Sequence, residues 1–332
     1  LGFVWFGTDE GVVCFDGKES VFYKNGLPGG YAKSFLNRKD GKLFVLHDFG
    51  LSEILSTSDN TEFIEILGGS PDDSEKLLHY PKTIYEDRKG NIWIGEDEKV
   101  VWIYEDKIKK FHFGKSEGPG IVFRSFLFSE DENNRLWCVS YKGELSYFDF
   151  EKEAFRKVST SEDLRKVNSF LHLGQNRAWA GTAFGYYILD LNNPEAVIPV
   201  EKLSEIRDIS CAEITSQNEL FFGTWENGLY RIPSLNNLRK FEKIEEIPFK
   251  SVWDLESDGK SNGLWVAGKE QVVFIRRNFF TTLLSGEPNF FKSLQYLGDK
   301  HFFTVNGDQL EIFHVEEDLI TQTFSFSGPN LS

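Results

Sequence analysis

Few residues in this chain have the type and spacing that chemistry demands. There is no Gly-x-Ser-x-Gly elbow for a serine nucleophile, no His-Glu-x-x-His pair for zinc and no P-loop for phosphates. The six histidines show no ligand spacing. His47-Asp48 is a pair that could hold a metal or act as a base, but no second His or Cys stands at ligand distance from it in the sequence. Three acidic runs occur, Glu96-Asp97-Glu98, Glu130-Asp131-Glu132 and Glu316-Glu317-Asp318. A calcium cage takes about six to eight oxygens in a defined loop. No Asp-x-Asp-x-Asp-Gly loop is present, so these runs read as solvated charge. No pair of carboxylates singles itself out for glycoside hydrolysis. The expectation is a chain with no catalytic residues, no metal and no cofactor.

Aromatic and basic residues offer more. Tyr31, Phe49, His79, Tyr80, Arg124, Tyr141, Phe184, Arg207, Trp225 and Lys250 form the candidate ligand-binding set. Aromatic faces pack against the C–H faces of sugars, and Arg and Lys donate to hydroxyls or uronate carboxylates. Any one of these rings could instead fill a gap in the core. Trp225 is the strongest of them. It follows Gly223-Thr224, where other copies of the same pattern carry Asp9, Asp48 or Lys269.

The elements that must position these residues are a repeat. Its anchor is an aromatic residue at Trp5, Phe44, Trp93, Trp137, Trp179, Phe221, Trp265 and Phe303. The steps between anchors are 39, 49, 44, 42, 42, 44 and 38 residues. That period suits four short strands per repeat, the size of a propeller blade. An apolar run such as Lys82-Thr83-Ile84-Tyr85 precedes the anchor, as expected for an inner strand covered on both faces. A polar turn such as Glu86-Asp87-Arg88-Lys89-Gly90 follows it. The anchor is large enough to fill the space between blades, and the Gly two residues later permits close approach. In such a blade the loop entering the inner strand and the loop after the second strand lie at the same end. The ten candidate residues fall in or beside those loops, so all of them should surround one mouth of a central channel.

The chain resembles the two-component regulator propeller repeats, found in the sensor regions of bacterial hybrid two-component systems and related membrane-bound regulators. The resemblance rests on GFVWFGTDEGVVCFDG, IYEDRKGNIWIGEDEKVVWIY and FFGTWENGLYRI, with weaker copies along nearly the whole chain. It implies an all-β protein, a β-propeller of four-stranded antiparallel blades. Counting gives eight repeats and so an expectation of eight blades, with the seven that the resemblance favours as the alternative. It also implies an extracytoplasmic, periplasmic sensor that answers to an oligosaccharide and passes a signal to an output domain. An adjoining propeller or signalling domain of the same chain would be its partner, with a homodimer as a further option. A protein-interaction scaffold is the first alternative, and a polysaccharide hydrolase or lyase the second.

Composition narrows the classes. The chain has 332 residues, with 37 Lys and Arg against 52 Asp and Glu, a net charge of −15. Clustered positive charge for nucleic acid or an anionic membrane surface is lacking. No apolar run is long enough to span a bilayer. Residues 1–332 read as a single propeller domain. The first residues start directly on an anchor strand, which suggests a segment of a longer chain. Cys14, Cys138 and Cys211 are odd in number and have strand-like flanks, so they read as buried hydrophobes.

Overall fold

The computed structural model describes residues 3–24, 27–28, 30–56, 60–68, 78, 80–105, 107–114, 124–160, 162–194, 200–258, 263–269 and 271–276, and the strands within 291–327. Short strands dominate because β-branched and aromatic residues alternate with turn residues every few positions. Among the described residues the strands form eight antiparallel sheets, six of four strands and two of three. They divide between two compact units, Leu1–Ile275 and Arg276–Ser332.

The first unit holds seven sheets, numbered here as blades 1 to 7. Each is a meander in which sequence neighbours pair. Blade 1 is Val4–Gly7, Val12–Phe15 and Ser20–Tyr23. The inner strands of the next six are Ala32–Asn37, Thr83–Glu86, Phe126–Glu130, Val167–Gly174, Ile209–Ile214 and Val252–Asp258. Each pairs with the strand that carries the anchor aromatic. The second unit is one four-stranded sheet, Phe291–Gly298, His301–Asn306, Gln309–Glu316 and Leu319–Ser327. Eight repeats therefore give eight sheets, but the ring contains seven. Trp265 of blade 7 packs against Phe6 and Phe15 of blade 1 at 5.9 and 6.2 Å, which joins the ends of the ring within the first unit.

The core lies in the seams between blades. Trp93 is buried against Phe126, Phe128 and Phe148 of blade 4. Trp137 packs with Val167, Phe170 and Ala178 of blade 5, and Trp179 with Leu220 and Phe222 of blade 6. All three anchors have no exposed surface. Gly95 makes the close approach possible: a Cβ there would meet Phe126 Cβ at 2.9 Å and Thr83 Oγ1 at 2.5 Å. Polar side chains also cross the seams. Thr83 Oγ1 donates to Phe126 O at 2.5 Å, Asn168 Nδ2 to Ile209 O at 2.8 Å and Ser210 Oγ to Val252 O at 2.5 Å. The three cysteines are buried and free. Burial pushes Cys14 and Cys138 up, and lifts Cys211 to about 12.

Two acidic runs depart from the solvated reading. Glu96 is buried and pairs with Lys99 at 2.9 Å. Glu130 and Asp131 are buried as well. Glu130 accepts the backbone N–H of Arg88 from blade 3 at 2.8 Å. Asp131 closes its own hairpin, accepting from Asn133 N and Arg135 N, and also takes the indole N–H of Trp137 at 2.9 Å. Turn carboxylates are retained inside because they satisfy several donors at once. Of the third run, Glu317 and Asp318 lie outside the described residues.

Candidate functional site

Loops at one end of the ring are tied into a belt by backbone hydrogen bonds. Tyr141 N donates to Ser125 O, Lys166 N to Tyr141 O and Ala183 N to Lys166 O. Asp208 N then donates to Ala183 O, and Trp225 N to Asp208 O. Gly228 N donates to Lys250 O, which carries the belt from blade 6 to blade 7. Between blades 2 and 3, Tyr80 N donates to Asp48 O, and between blades 1 and 2, Ala32 N to Thr8 O. These bonds join the loop after a second strand to the loop entering the inner strand of the same blade or of the next. The expected convergence of the two loop sets is thus a physical one.

Most of the ten candidate residues are found here. Tyr80, Lys166 and Asp208 have positive φ (48°, 55° and 58°) and lie at or just before the start of an inner strand. Non-glycine residues in that region cost roughly 1–3 kcal/mol and persist where surrounding contacts enforce them. Tyr31 and Tyr80 come together around Lys33, whose Nζ sits 5.3 and 5.2 Å from the two ring centres. Lys33 is also bonded to Asp48 at 2.7 Å, next to the half-buried Phe49. Tyr80 is 53% exposed. Burial, with Asp48 and Asp9, raises the Tyr31 hydroxyl above its ordinary value. Phe184 lies under Lys166 at 6.0 Å, beside the half-buried Tyr141.

A second group gathers at blades 6 and 7. Trp225 meets Trp253 edge-to-face, with ring centres 5.5 Å apart and planes at 89°. Arg207 and Lys250 are exposed in the adjoining loops. Arg124, from the loop entering blade 4, reaches Asp254 on the inner strand of blade 7 at 2.9 Å. Those blades are three apart in a ring of seven, so this ion pair crosses the channel. His79 lies outside the described residues.

Residue-by-residue reading missed Lys33, Trp253 and Asp254 at this end, and a pair of acids, Glu213 and Glu256, further along the inner strands of blades 6 and 7. The residue paired with the anchor aromatic is Leu36, Tyr85, Ser129 and Leu171 in blades 2 to 5. In blades 6 and 7 it is Glu213 and Glu256. An acid in the midst of an apolar inner strand was the available signal. Glu256 keeps solvent-accessible surface, but the inner strand it stands on costs it part of its hydration, and this, then Glu213 and Asp254, pushes it up to about 7. Burial also raises Glu213, although Ser257 Oγ donates to it at 2.7 Å. His47, the other chemical candidate, is core: it is fully buried, its Nε2 lies 3.1 Å from Ser52 Oγ, and burial lowers it to about 4.

Ring, seams and belt define a β-propeller. Solved structures share that fold at low identity. The extracellular domain of a hybrid two-component system from B. thetaiotaomicron matches with a TM-score of 0.64 and 14% identity, over 98% of this chain. This chain spans 44% of that protein's length. Virginiamycin B lyase from Staphylococcus aureus matches with a TM-score of 0.60 and 17% identity, over 82% of this chain and 90% of the lyase. The WD40 propeller domain of Doa1 matches with a TM-score of 0.58 and 8% identity, over 82% of this chain and 88% of that one. No protein-family model matches the sequence, and no curated protein does. At these identities the likeness carries the fold, which is the one the repeat resemblance implies. Among the described residues no helix is long and apolar enough to cross a membrane.

Proposed function

We propose that the chain is a ligand-sensing propeller, the periplasmic part of a membrane-bound two-component-type regulator, and that it binds an oligosaccharide without turning it over. The observation that supports this most is the belt. It holds aromatic and cationic side chains from six blades, 2 to 7, at one end of a rigid ring. Tyr31 and Tyr80 offer ring faces on one side of the mouth, and Trp225 with Trp253 offers two perpendicular faces on the other. Arg124 stands between them, already oriented by Asp254. A ligand that bridges both groups discriminates between ring geometries, which a sensor requires. The signal would pass to an adjoining propeller or signalling domain of the same chain, or to a second copy.

The test is a thermal-shift screen against a panel of oligosaccharides, with the sugar recovered and analysed by chromatography. The expected result is a raised melting temperature with the sugar intact, because a ligand that binds only the folded state stabilises it. Trp225→Ala and Arg124→Ala should weaken that response by tenfold or more, roughly what one well-packed contact contributes. No response across the panel would sink the sugar reading and favour a scaffold that binds a protein partner.

A second reading, a lyase or hydrolase, has one observation in its favour. Glu213 and Glu256 on neighbouring inner strands are both raised, as proton-transfer carboxyls often are. Shortened sugar in the same screen, lost in Glu256→Gln, would move the assignment to an enzyme.

A further inference from the structure

The blades are near-copies, so a donor that is satisfied in one and orphaned in the next marks a change of use. In blade 4, Asp131 accepts from Trp137 Nε1 at 2.9 Å and from Arg135 Nε at 2.6 Å. In blade 3, Asp87 takes Trp93 Nε1 at 2.9 Å and Asn91 Nδ2 at 2.8 Å. Blade 5 has Leu173 in this place. Leu171 pairs with Trp179 as Ser129 pairs with Trp137, so the count back from the anchor is the same. Arg177 likewise corresponds to Arg135. Blade 5 therefore keeps both donors and has lost the carboxylate that they would share. Trp179 Nε1 and Arg177 Nε are buried, and neither has an acceptor. Leaving such groups unpaired is costly unless something else accepts from them.

Space for such a group exists. A cavity of about 600 Å³ opens at this end of blade 5, lined by Arg177, Asn176, Asp190, Asn192 and Glu201. Small-molecule sites commonly enclose about 300–1,000 Å³. Arg177 pairs in register with Asp190, and Glu201 with Ile188, so these side chains share one face of the blade. The hairpin beside them holds two consecutive left-handed residues, Gln175 and Asn176, at φ of 55° and 50°. Lys166 and Ala183 of the belt stand at the other end of the same strands. The cavity is therefore separate from the channel mouth.

We propose that this cavity is a second binding site, for a small hydroxy- or amino-carboxylate. The ligand's carboxylate would accept from Arg177, as Asp131 accepts from Arg135 in blade 4. The other lining groups argue against a bare anion. Asp190 and Glu201 are acidic, and each already has one partner, Asn192 and Arg239 respectively. They repel a plain anion and favour a ligand that also presents hydroxyl or ammonium donors. Asn176 and Asn192 are bonded to each other, to Asn133 and to Asp190, and would exchange some of these partners for the ligand.

Calorimetry and thermal shift with glycerate and glutamine as probes, and acetate as the bare carboxylate, test this on the intact chain. The expected result is saturable binding of glycerate or glutamine but not acetate. At a hundredfold excess over Kd the melting temperature should rise by roughly 5 °C. Leu173→Asp restores the acceptor that blade 4 has, so it should raise the melting temperature without ligand and abolish the response to ligand. Arg177→Gln should lose the response even if Leu173→Asp fails to fold, whereas Trp225→Ala should keep it. The proposal is overturned if neither glycerate nor glutamine binds saturably, if acetate acts equally well, or if Arg177→Gln responds like the natural chain.

Discussion

Glu256 sits opposite the anchor of blade 7, loses part of its hydration to the ring and meets Glu213 and Asp254. Each effect disfavours its charged form, so its carboxyl rises from 4.5 to about 7. The folded state then holds a proton that the unfolded chain releases. The stabilising contribution is complete below 4.5 and is lost as pH rises through about 7. The melting temperature of the natural chain should therefore fall over that interval. In Glu256→Gln the fall should be shallower, with the gain appearing on the alkaline side. Glu213 is raised too and contributes in the same direction, so some slope should persist. A Glu256→Gln profile parallel to that of the natural chain would remove this account.

At the level of elements, the hairpin between inner and anchor strands does more than turn the chain. Asp131 is fully buried and bonds two backbone amides, one guanidinium and one indole. Asp131→Ala strands all of these donors, including the buried Trp137 N–H. It should cost about 3–5 kcal/mol, as loss of one member of a buried charged network does. Asp131→Asn, which keeps one acceptor, should cost less. Urea unfolding followed by tryptophan fluorescence would measure both. Equal losses would mean that the turn geometry alone matters and the indole bond does not.

For the ring as a whole, the seams are not equivalent. Trp93, Trp137 and Trp179 are wholly buried, whereas Trp265 at the joining seam is only half-buried. In the described residues blades 1 and 7 have three strands each. Fewer buried contacts mean a lower local opening free energy. Amide exchange should accordingly be fastest in blades 1 and 7 and slowest in blades 3 to 5. Trp137→Ala should cost about 3–5 kcal/mol, and Trp265→Ala clearly less. Uniform protection around the ring would contradict this ranking.

Periodicity alone determined much of this protein. An aromatic anchor every 38 to 49 residues with turn residues at set offsets names the blade, its strand order and the loops that share an end, because those follow from local pairing and hairpin chemistry. Tyr31, Tyr80 and Trp225 were legible for that reason. Tertiary structure decided what depends on neighbours far apart in the chain. The acids of Glu130-Asp131 look solvated in a polar turn, and only the packing of adjacent blades buries them. Arg124 and Asp254 are separated by 130 positions, so only closure of the ring brings them into contact. The number of blades in the ring was settled in the same way. Repeats can be counted in one dimension, but whether the last one joins the circle depends on the angle and contact between blades, which no single repeat encodes.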